Sequence, residues 1–205
     1  GKLKGKVQAP AVANVKQVEK PRDKAISDPQ AKQTQIALGY VTPPAGDPIR
    51  LRLQLIQAIL GGQGGRLFSD LRDKRSLAYV VQPFVSTSAH GGAFVVYMAV
   101  GPGKEKEALA GLARNLDDVR QKEPSKAELE RAKAYLLGSQ AISLQKYGAQ
   151  AMDMAMNELL GLGFDYHLRY PKDMQAITAK EVRAAADKVL APKHQAELTL
   201  GPPQK

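Results

Sequence analysis

The sequence predicts an α+β fold, a two-layer sandwich in which helices pack on one face of a largely antiparallel sheet. Two observations lead to this prediction. Four segments have the alternation, or the β-branched and apolar composition, of strands: residues 33–41, 76–85, 92–100 and 194–200. The chain between the third and fourth of these segments has mostly helical spacing of its apolar residues, so most strands come early and most helices late.

The first helix is predicted directly after a turn at residues 42–46. Asp47 supplies an N-cap carboxylate, and Pro48 fits the first helical position because its missing N–H is not needed there. Apolar residues then recur on one face, at Ile49, Leu53, Ile56 and Leu60. Gly61 follows, where a left-handed C-cap is expected.

A short helix and a hairpin are predicted next. Residues 66–74 place Leu67, Phe68 and Leu71 on one side of a helix. The strands at 76–85 and 92–100 are joined through His90 and two glycines, which is typical of a hairpin. We therefore expect these two strands to be antiparallel neighbours.

Further helices are marked by their start signals. Residues 104–121 have helical spacing. Residues 125–128 and 178–181 are capping boxes, in which a hydroxyl accepts from the third backbone N–H and a glutamate returns to the cap. A short helix at 164–174 is expected to be interrupted by Pro171.

The region 126–161 contains two glycines that could divide it into two helices, Gly138 and Gly148. Met152 and Met156 share a helical face, and we expect them to pack in the core rather than to hold a metal or cofactor.

Composition suggests one folded domain with a basic extension. The 205 residues are 43% hydrophobic, enough for a core over residues 31–205. Half of the net charge of +10 lies in residues 1–34, and we expect residues 1–30 to be a basic flexible linker or tail. Aromatic residues do not alternate with basic ones, which argues against nucleic-acid binding. There is no cysteine, and no apolar run reaches the roughly 18 residues of a membrane span.

The segment GGQGG at residues 61–65 is the most unusual part of the sequence. It lacks the Lys-Ser/Thr ending of a P-loop, and it follows a helix where a dinucleotide fingerprint would follow a strand. A helix C-cap explains Gly61 and Gly62. It does not explain four glycines, and glycine also permits another backbone to approach closely.

The sequence offers no recognisable catalytic metal site or nucleophile motif. The three histidines, His90, His167 and His194, have no second histidine at ligand spacing. His194 begins an H-x-x-E pattern, but Leu198 stands where the last histidine of a zinc motif is needed.

Arg72 and Tyr79 lie on either side of a predicted turn, so both can lie at the same end of the sheet. An arginine fork and a neutral phenol donor suit a peptide carbonyl and the oxyanion that develops from it. The spacing alone is equally consistent with a surface arginine and a tyrosine that anchors the strand.

The stretch LGGQGGRLFSDLRDKRSLAYVV at residues 60–81 resembles the C-terminal-half signature of the insulinase-like (pitrilysin) peptidases, family M16. The resemblance extends over about residues 31–200. It implies homologous α+β halves around a chamber, with zinc and an H-x-x-E-H motif in one half. In the other half, called inactive, an arginine and a tyrosine hold substrate and stabilise the tetrahedral intermediate.

The resemblance places these two roles on Arg72 and Tyr79, and a substrate-facing loop on Gly61, Gly62, Gly64 and Gly65. It implies a peptide substrate and a zinc-bearing partner domain or subunit, with no metal in this chain. The chain alone is therefore expected to be inactive, and its end fits the last domain of a longer peptidase. The composition is compatible with a bacterial periplasm or cytoplasm and selects neither.

Two other functions stay open on the sequence. The chain could be a catalytically silent subunit that only shapes the chamber or docks a partner. It could also be a binding module that uses residues 1–30 as a basic arm, with salt-dependent binding.

Overall fold

The computed structural model describes residues 15–203, which form a five-stranded sheet covered by helices. The strands, in chain order, are β1 (Arg22–Ser27), β2 (Thr34–Thr42), β3 (Ala78–Ser88), β4 (Gly91–Val100) and β5 (Ala196–Gly201). Their order across the sheet is β1-β5-β2-β4-β3. Only the pair β1–β5 is parallel. The predicted α+β fold with a largely antiparallel sheet is confirmed.

The helices of the described chain are α1 (Ile49–Leu60), α2 (Glu105–Gln121), α3 (Lys126–Ser143), α4 (Tyr147–Leu159), α5 (Tyr166–Ala176) and α6 (Ala179–Val189). A π-helical segment, Phe68–Lys74, precedes β3, and a 3₁₀ turn, Pro192–His194, precedes β5. Helix α1 packs against α3 and α6, and α2 packs against α6 and the π-helical segment.

The core lies between the sheet and these helices. In β2, Ile36, Leu38 and Tyr40 are buried while the residues between them are not. Helix α1 contributes Leu53 and Ile56, which are fully enclosed. This two-residue period in the strand and helical period in α1 are the patterns that a sandwich with one shared core requires.

The predicted start signals are present. The Asp47 carboxylate accepts from the Ile49 N–H at 2.8 Å, and so caps α1. Both capping boxes form: Glu128 N–H donates to Ser125 Oγ at 3.2 Å, and the Glu181 N–H donates to Thr178 Oγ1 at 3.3 Å.

Two predicted helix breaks are displaced or absent. Helix α3 runs through Gly138, and the break comes at residues 144–146, so Gly148 lies inside α4. A single glycine costs a helix only about 1 kcal/mol, which its neighbours offset. Helix α5 is continuous through Pro171. The ring removes the N–H that would bond to the His167 carbonyl, and Gln140 Nε2 donates to that carbonyl instead, at 3.4 Å.

The expected linker at residues 1–30 includes part of the sheet. Residues 1–14 lie outside the described part of the chain. Arg22–Ser27, however, is the edge strand β1, and its ends are fixed by Arg22 N–H to Gln195 O at 3.0 Å and Asp28 N–H to Gly201 O at 2.8 Å. All six side chains are exposed. The segment therefore lacks the apolar alternation by which a strand is recognised.

The prediction that Met152 and Met156 pack in the core is wrong. Their side chains are 64% and 43% exposed, and α4 buries no side chain fully. We use the name apolar face for the exposed large apolar residues of the last turn of α3, of α4, of the α4–α5 loop and of α5: Ile142, Tyr147, Met152, Met156, Leu159, Phe164 and Leu168. None of the helices within residues 15–203 combines the length and the apolar composition of a membrane span.

Candidate functional site

Three of the four glycines in the segment 61–65 are required by the backbone itself. A Cβ at Gly65 would lie 2.0 Å from the Gly61 carbonyl oxygen, because the segment doubles back on itself. A Cβ at Gly61 would lie 2.9 Å from Gln57 O and 3.0 Å from the Pro83 ring of β3. Gly62, at φ +72°, adopts the left-handed conformation that we expected at Gly61, whose own φ is −98°.

Gly64 has no such requirement. Nothing lies within 4 Å of the position that a Cβ would take, and its φ is not positive. Its carbonyl accepts from Arg131 Nη2 of α3 at 3.3 Å. The structure therefore separates Gly61, Gly62 and Gly65, which shape the segment, from Gly64, which faces open space.

Arg66 fixes the end of this segment to two helices. Its Nε and Nη2 donate to the two carboxylate oxygens of Glu128 at 2.8 and 3.1 Å, and its Nη1 donates to Asp118 Oδ2 at 2.7 Å. The guanidinium, together with the capping hydrogen bonds from Ser125, lowers the pKa of Glu128 to about 2. Glu128 thus serves α3 as a cap and the glycine segment as an anchor.

A cleft of about 450 Å³ opens beside the glycines. We call it the glycine cleft; it is lined by Gln57, Ala58, Gly61, Gly62, Gln63, Gly64, Gln82, Pro83, Arg131, Ala132, Tyr135 and Leu136. It joins the end of α1, the edge strand β3 and the middle of α3. Gly65 does not line it. No sequence pattern indicates Arg131 and Tyr135, because their place in the cleft depends on how α3 packs against α1.

Tyr79 occupies a β-bulge. Ala78 pairs with Val100 and Val80 pairs with Ala99, so Tyr79 is the extra residue of β3. The side chains of Tyr79 and Val80 are 65% and 43% exposed, which breaks the strict alternation of a strand. A bulge re-aims a side chain out of the ladder, and here it turns Tyr79 away from the core.

The π-helical segment ends in a closure that positions β3. The Ser76 N–H donates to Arg72 O at 3.0 Å, and the Leu77 N–H donates to Leu71 O at 2.9 Å. The two hydrogen bonds resemble those of a Schellman motif, but each spans one residue more. Ser76 takes the left-handed position of the motif, at φ +51°. Leu71 and Leu77, which are both buried, occupy the two positions that make the apolar contact in such a motif. The Arg72 side chain is exposed, and its guanidinium lies 4.8 Å from the centre of the Phe68 ring.

The candidate residues do not share one cleft. Tyr79 lines an open cleft of about 540 Å³ together with Asp28, Lys32 and Gln35. Arg72 lines neither that cleft nor the glycine cleft. Strand β3 is the physical link between the parts, because it carries Tyr79 at its start and contributes to the glycine cleft four residues later.

The histidines of the described chain do not form a metal site. Between residues 15 and 203, no three histidine or carboxylate side chains are close enough to share a metal ion. His194 Nδ1 donates to the Val18 carbonyl at 2.6 Å, so it holds the segment before β1. His167 Nδ1 lies 3.8 Å from Asp153 Oδ2.

Comparison with known proteins identifies the family. The sequence profile described as the peptidase M16 inactive domain matches residues 1–136. An uncharacterized zinc protease of Mycobacterium bovis is 30% identical over 174 residues, covering 84% of this chain and 39% of its own length. The uncharacterized zinc protease YmxG of Bacillus subtilis is 26% identical over 147 residues, covering 70% of this chain and 36% of its own length. The chain thus spans well under half the length of these relatives.

Solved structures show the same fold. A peptidase M16 inactive domain from Pseudomonas fluorescens superposes with a TM-score of 0.83 at 25% identity, over 96% of this chain and 48% of that chain. A protease from Helicobacter pylori has a TM-score of 0.87 at 18% identity, over 98% of this chain and 49% of that chain. The chain belongs to the peptidase M16 family, as an inactive domain of that family.

Proposed function

We propose that this chain is the non-zinc half of a zinc-dependent M16 endopeptidase, and that another domain or subunit holds the zinc. The proposal is supported by the family match, by relatives named zinc proteases that are more than twice as long, and by the lack of a metal-binding group within residues 15–203. Zinc supplies the metal chemistry in the other half. This chain contributes hydrogen-bond donors, a cation and a wall.

The bulged Tyr79 is the observation that carries this proposal. A tyrosine that only anchors a strand buries its ring, whereas Tyr79 is 65% exposed and is the extra residue of β3. Within the described residues its hydroxyl has no hydrogen-bond partner, so it is free to donate to a substrate. In the assembled enzyme, Tyr79 donates its O–H to the peptide carbonyl oxygen as negative charge develops there.

Arg72 is the second contributor. Its guanidinium lies over the Phe68 ring, and it forms no ion pair among residues 15–203. The stacking fixes the direction of the side chain while its N–H groups stay available, which suits an arginine that holds a peptide carbonyl or stabilises the oxyanion. The glycine segment supplies part of the chamber wall, with Gly64 as the residue that a passing peptide approaches most closely.

The apolar face supports a partner half. Tyr147, Leu159 and Leu168 are 88%, 73% and 73% exposed, and with the other members they form a surface of a kind that proteins usually cover. A homologous zinc-bearing M16 domain or subunit, burying this face, completes the enzyme.

The test removes one oxygen atom from Tyr79. In the assembled enzyme, Tyr79→Phe is expected to lower kcat about a hundredfold to a thousandfold, with KM changed far less, because the donor acts mainly in the transition state. Tyr170→Phe makes the same chemical change on α5, outside both clefts and outside the apolar face, and is expected to leave kcat unaltered. Equal kcat for Tyr79→Phe and the unsubstituted enzyme would refute the proposed role.

A silent structural role is favoured by one observation, that Arg72 lines neither cleft. In that case the chain shapes the chamber without contacting the reacting atoms. The variant Arg72→Gln separates the two functions. A loss of kcat/KM supports substrate contact, and an unchanged value in both Arg72→Gln and Tyr79→Phe supports the silent role.

A further inference from the structure

The side chains that line the glycine cleft are of few types, and the roles proposed for Tyr79 and Arg72 do not account for them. Apart from the hydroxyl of Tyr135, the polar side chains of the cleft are three neutral amides and one cation: Gln57, Gln63, Gln82 and Arg131. None of its lining residues carries a carboxylate. Amide side chains both donate and accept, so they match a peptide backbone, while Arg131 leaves the cleft with a positive charge.

Arg131 and Tyr135 form a pair on one face of α3. They are four residues apart, which places their Cβ atoms about 5–6 Å from each other. Both are exposed, and Tyr135 is 65% exposed. Arg131 donates only a 3.3 Å hydrogen bond to the Gly64 carbonyl, and it forms no ion pair within residues 15–203.

The nearest carboxylate along α3 on this face does not neutralise Arg131. Glu128 lies one turn earlier, but both of its oxygens are engaged by Arg66 and one of them also accepts from Ser125. The charge of Glu128 is therefore matched by Arg66, and the charge of Arg131 is left for a ligand.

Resting on the proposed function, we propose that the glycine cleft selects an extended peptide segment with an acidic side chain for Arg131 and an aromatic or large aliphatic side chain for Tyr135. In the bound peptide, the acidic residue and the aromatic or aliphatic residue are separated by one residue. Alternate residues of an extended chain point to the same side and lie roughly 6–7 Å apart, which matches the spacing of Arg131 and Tyr135. The glutamine amides bind the backbone between them.

Pro83 shapes this mode of binding. It lies on the edge strand β3 and lines the cleft, but it has no N–H to donate to an added strand. Continuous strand addition to β3 is therefore interrupted at the cleft, and selectivity depends on Arg131, Tyr135 and the glutamines.

The experiment measures fluorescence anisotropy of two labelled peptides that differ in one residue, Glu-Ala-Phe and Lys-Ala-Phe within the same uncharged sequence. The unsubstituted chain is expected to bind the glutamate peptide about three- to fivefold more tightly, the range of an exposed charge pair. Arg131→Glu is expected to reverse this preference. Lys180→Glu is the control, because it makes the same charge change at an exposed position of α6 that does not line the cleft.

The outcomes separate this inference from the proposed function. A preference that reverses in Arg131→Glu and persists in Lys180→Glu supports it. If the chain shows no preference, the inference is wrong. If the preference falls equally in both variants, the inference is also wrong, because the preference then depends on the overall charge of the chain and not on Arg131. Binding by the chain alone needs no zinc, so an unchanged kcat in Tyr79→Phe would refute the catalytic proposal without affecting this result.

Discussion

The ion pair between Arg66 and Glu128 leads to a prediction about stability, and the chain also contains a matched control for it. Glu128→Gln keeps the capping box, since glutamine also serves at that position, and removes the negative charge that Arg66 binds. The shift of the Glu128 pKa from 4.5 to about 2 sets a ceiling of about 3.5 kcal/mol, at about 1.4 kcal/mol per pKa unit. Since the side chain is 22% exposed, solvent screening reduces the expected loss to about 2 kcal/mol.

Glu181 is a matched control. It occupies the same place in the second capping box, its pKa is also lowered to about 2, and it binds Arg52. Its side chain is 40% exposed, so its ion pair is more strongly screened. We expect Glu181→Gln to cost less than about 1 kcal/mol.

The assay is urea unfolding of the three proteins from pH 7 to pH 2. A carboxylate whose folded pKa is lowered stabilises the protein above its unfolded pKa of about 4.3, and this stabilisation is lost as the pH falls toward the folded value. The difference between the unsubstituted chain and Glu128→Gln should therefore shrink from pH 5 down to pH 2. A difference that is constant with pH, or equal losses in Glu128→Gln and Glu181→Gln, would refute the reasoning.

The remaining predictions concern packing and the sheet. Gly65→Ala should destabilise the chain by more than 2 kcal/mol in urea unfolding, because backbone would have to move, while Gly64→Ala should change it by less than about 0.5 kcal/mol; similar values would contradict the different roles given to them. Ile56→Ala should cost about 2–5 kcal/mol, measured in the same way, and a loss below 1 kcal/mol would place it outside the core. Removing residues 1–27 should lower the melting temperature more than removing residues 1–21, because only the longer deletion removes β1. Equal melting temperatures would show that β1 does not stabilise the sheet.

Local signals in the sequence predict most of the fold. The capping boxes and the alternation in β2 depend on residues within a few positions of each other, so they are readable without the tertiary structure. Strand β1 is different. Its partner β5 begins at Ala196, far along the chain, and all of its side chains are exposed, so neither pairing nor burial leaves a pattern. The prediction that Met152 and Met156 lie in the core is wrong for the opposite reason, because an exposed apolar helical face has the same sequence pattern as a buried one.

The sequence indicates which segments carry the candidate residues, but it does not predict their geometry. The family resemblance pointed to Tyr79, but the bulge that exposes it depends on how β3 pairs with β4. The four glycines are alike in sequence, and only the approach of Gly61 to Gly65 and to Pro83 distinguishes Gly64 from the rest. Arg131 is one of 30 lysines and arginines in the sequence, and only the position of α3 places it beside Gly64.

The most direct test of the central proposal is metal content and peptide cleavage for three samples: this chain, its zinc-bearing complement, and the two combined. We expect the chain alone to be zinc-free and inert, the complement alone to cleave slowly, and the combination to cleave at a rate that depends on Tyr79. Chelator-sensitive cleavage by the chain alone would contradict the assignment and would place a metal site within it.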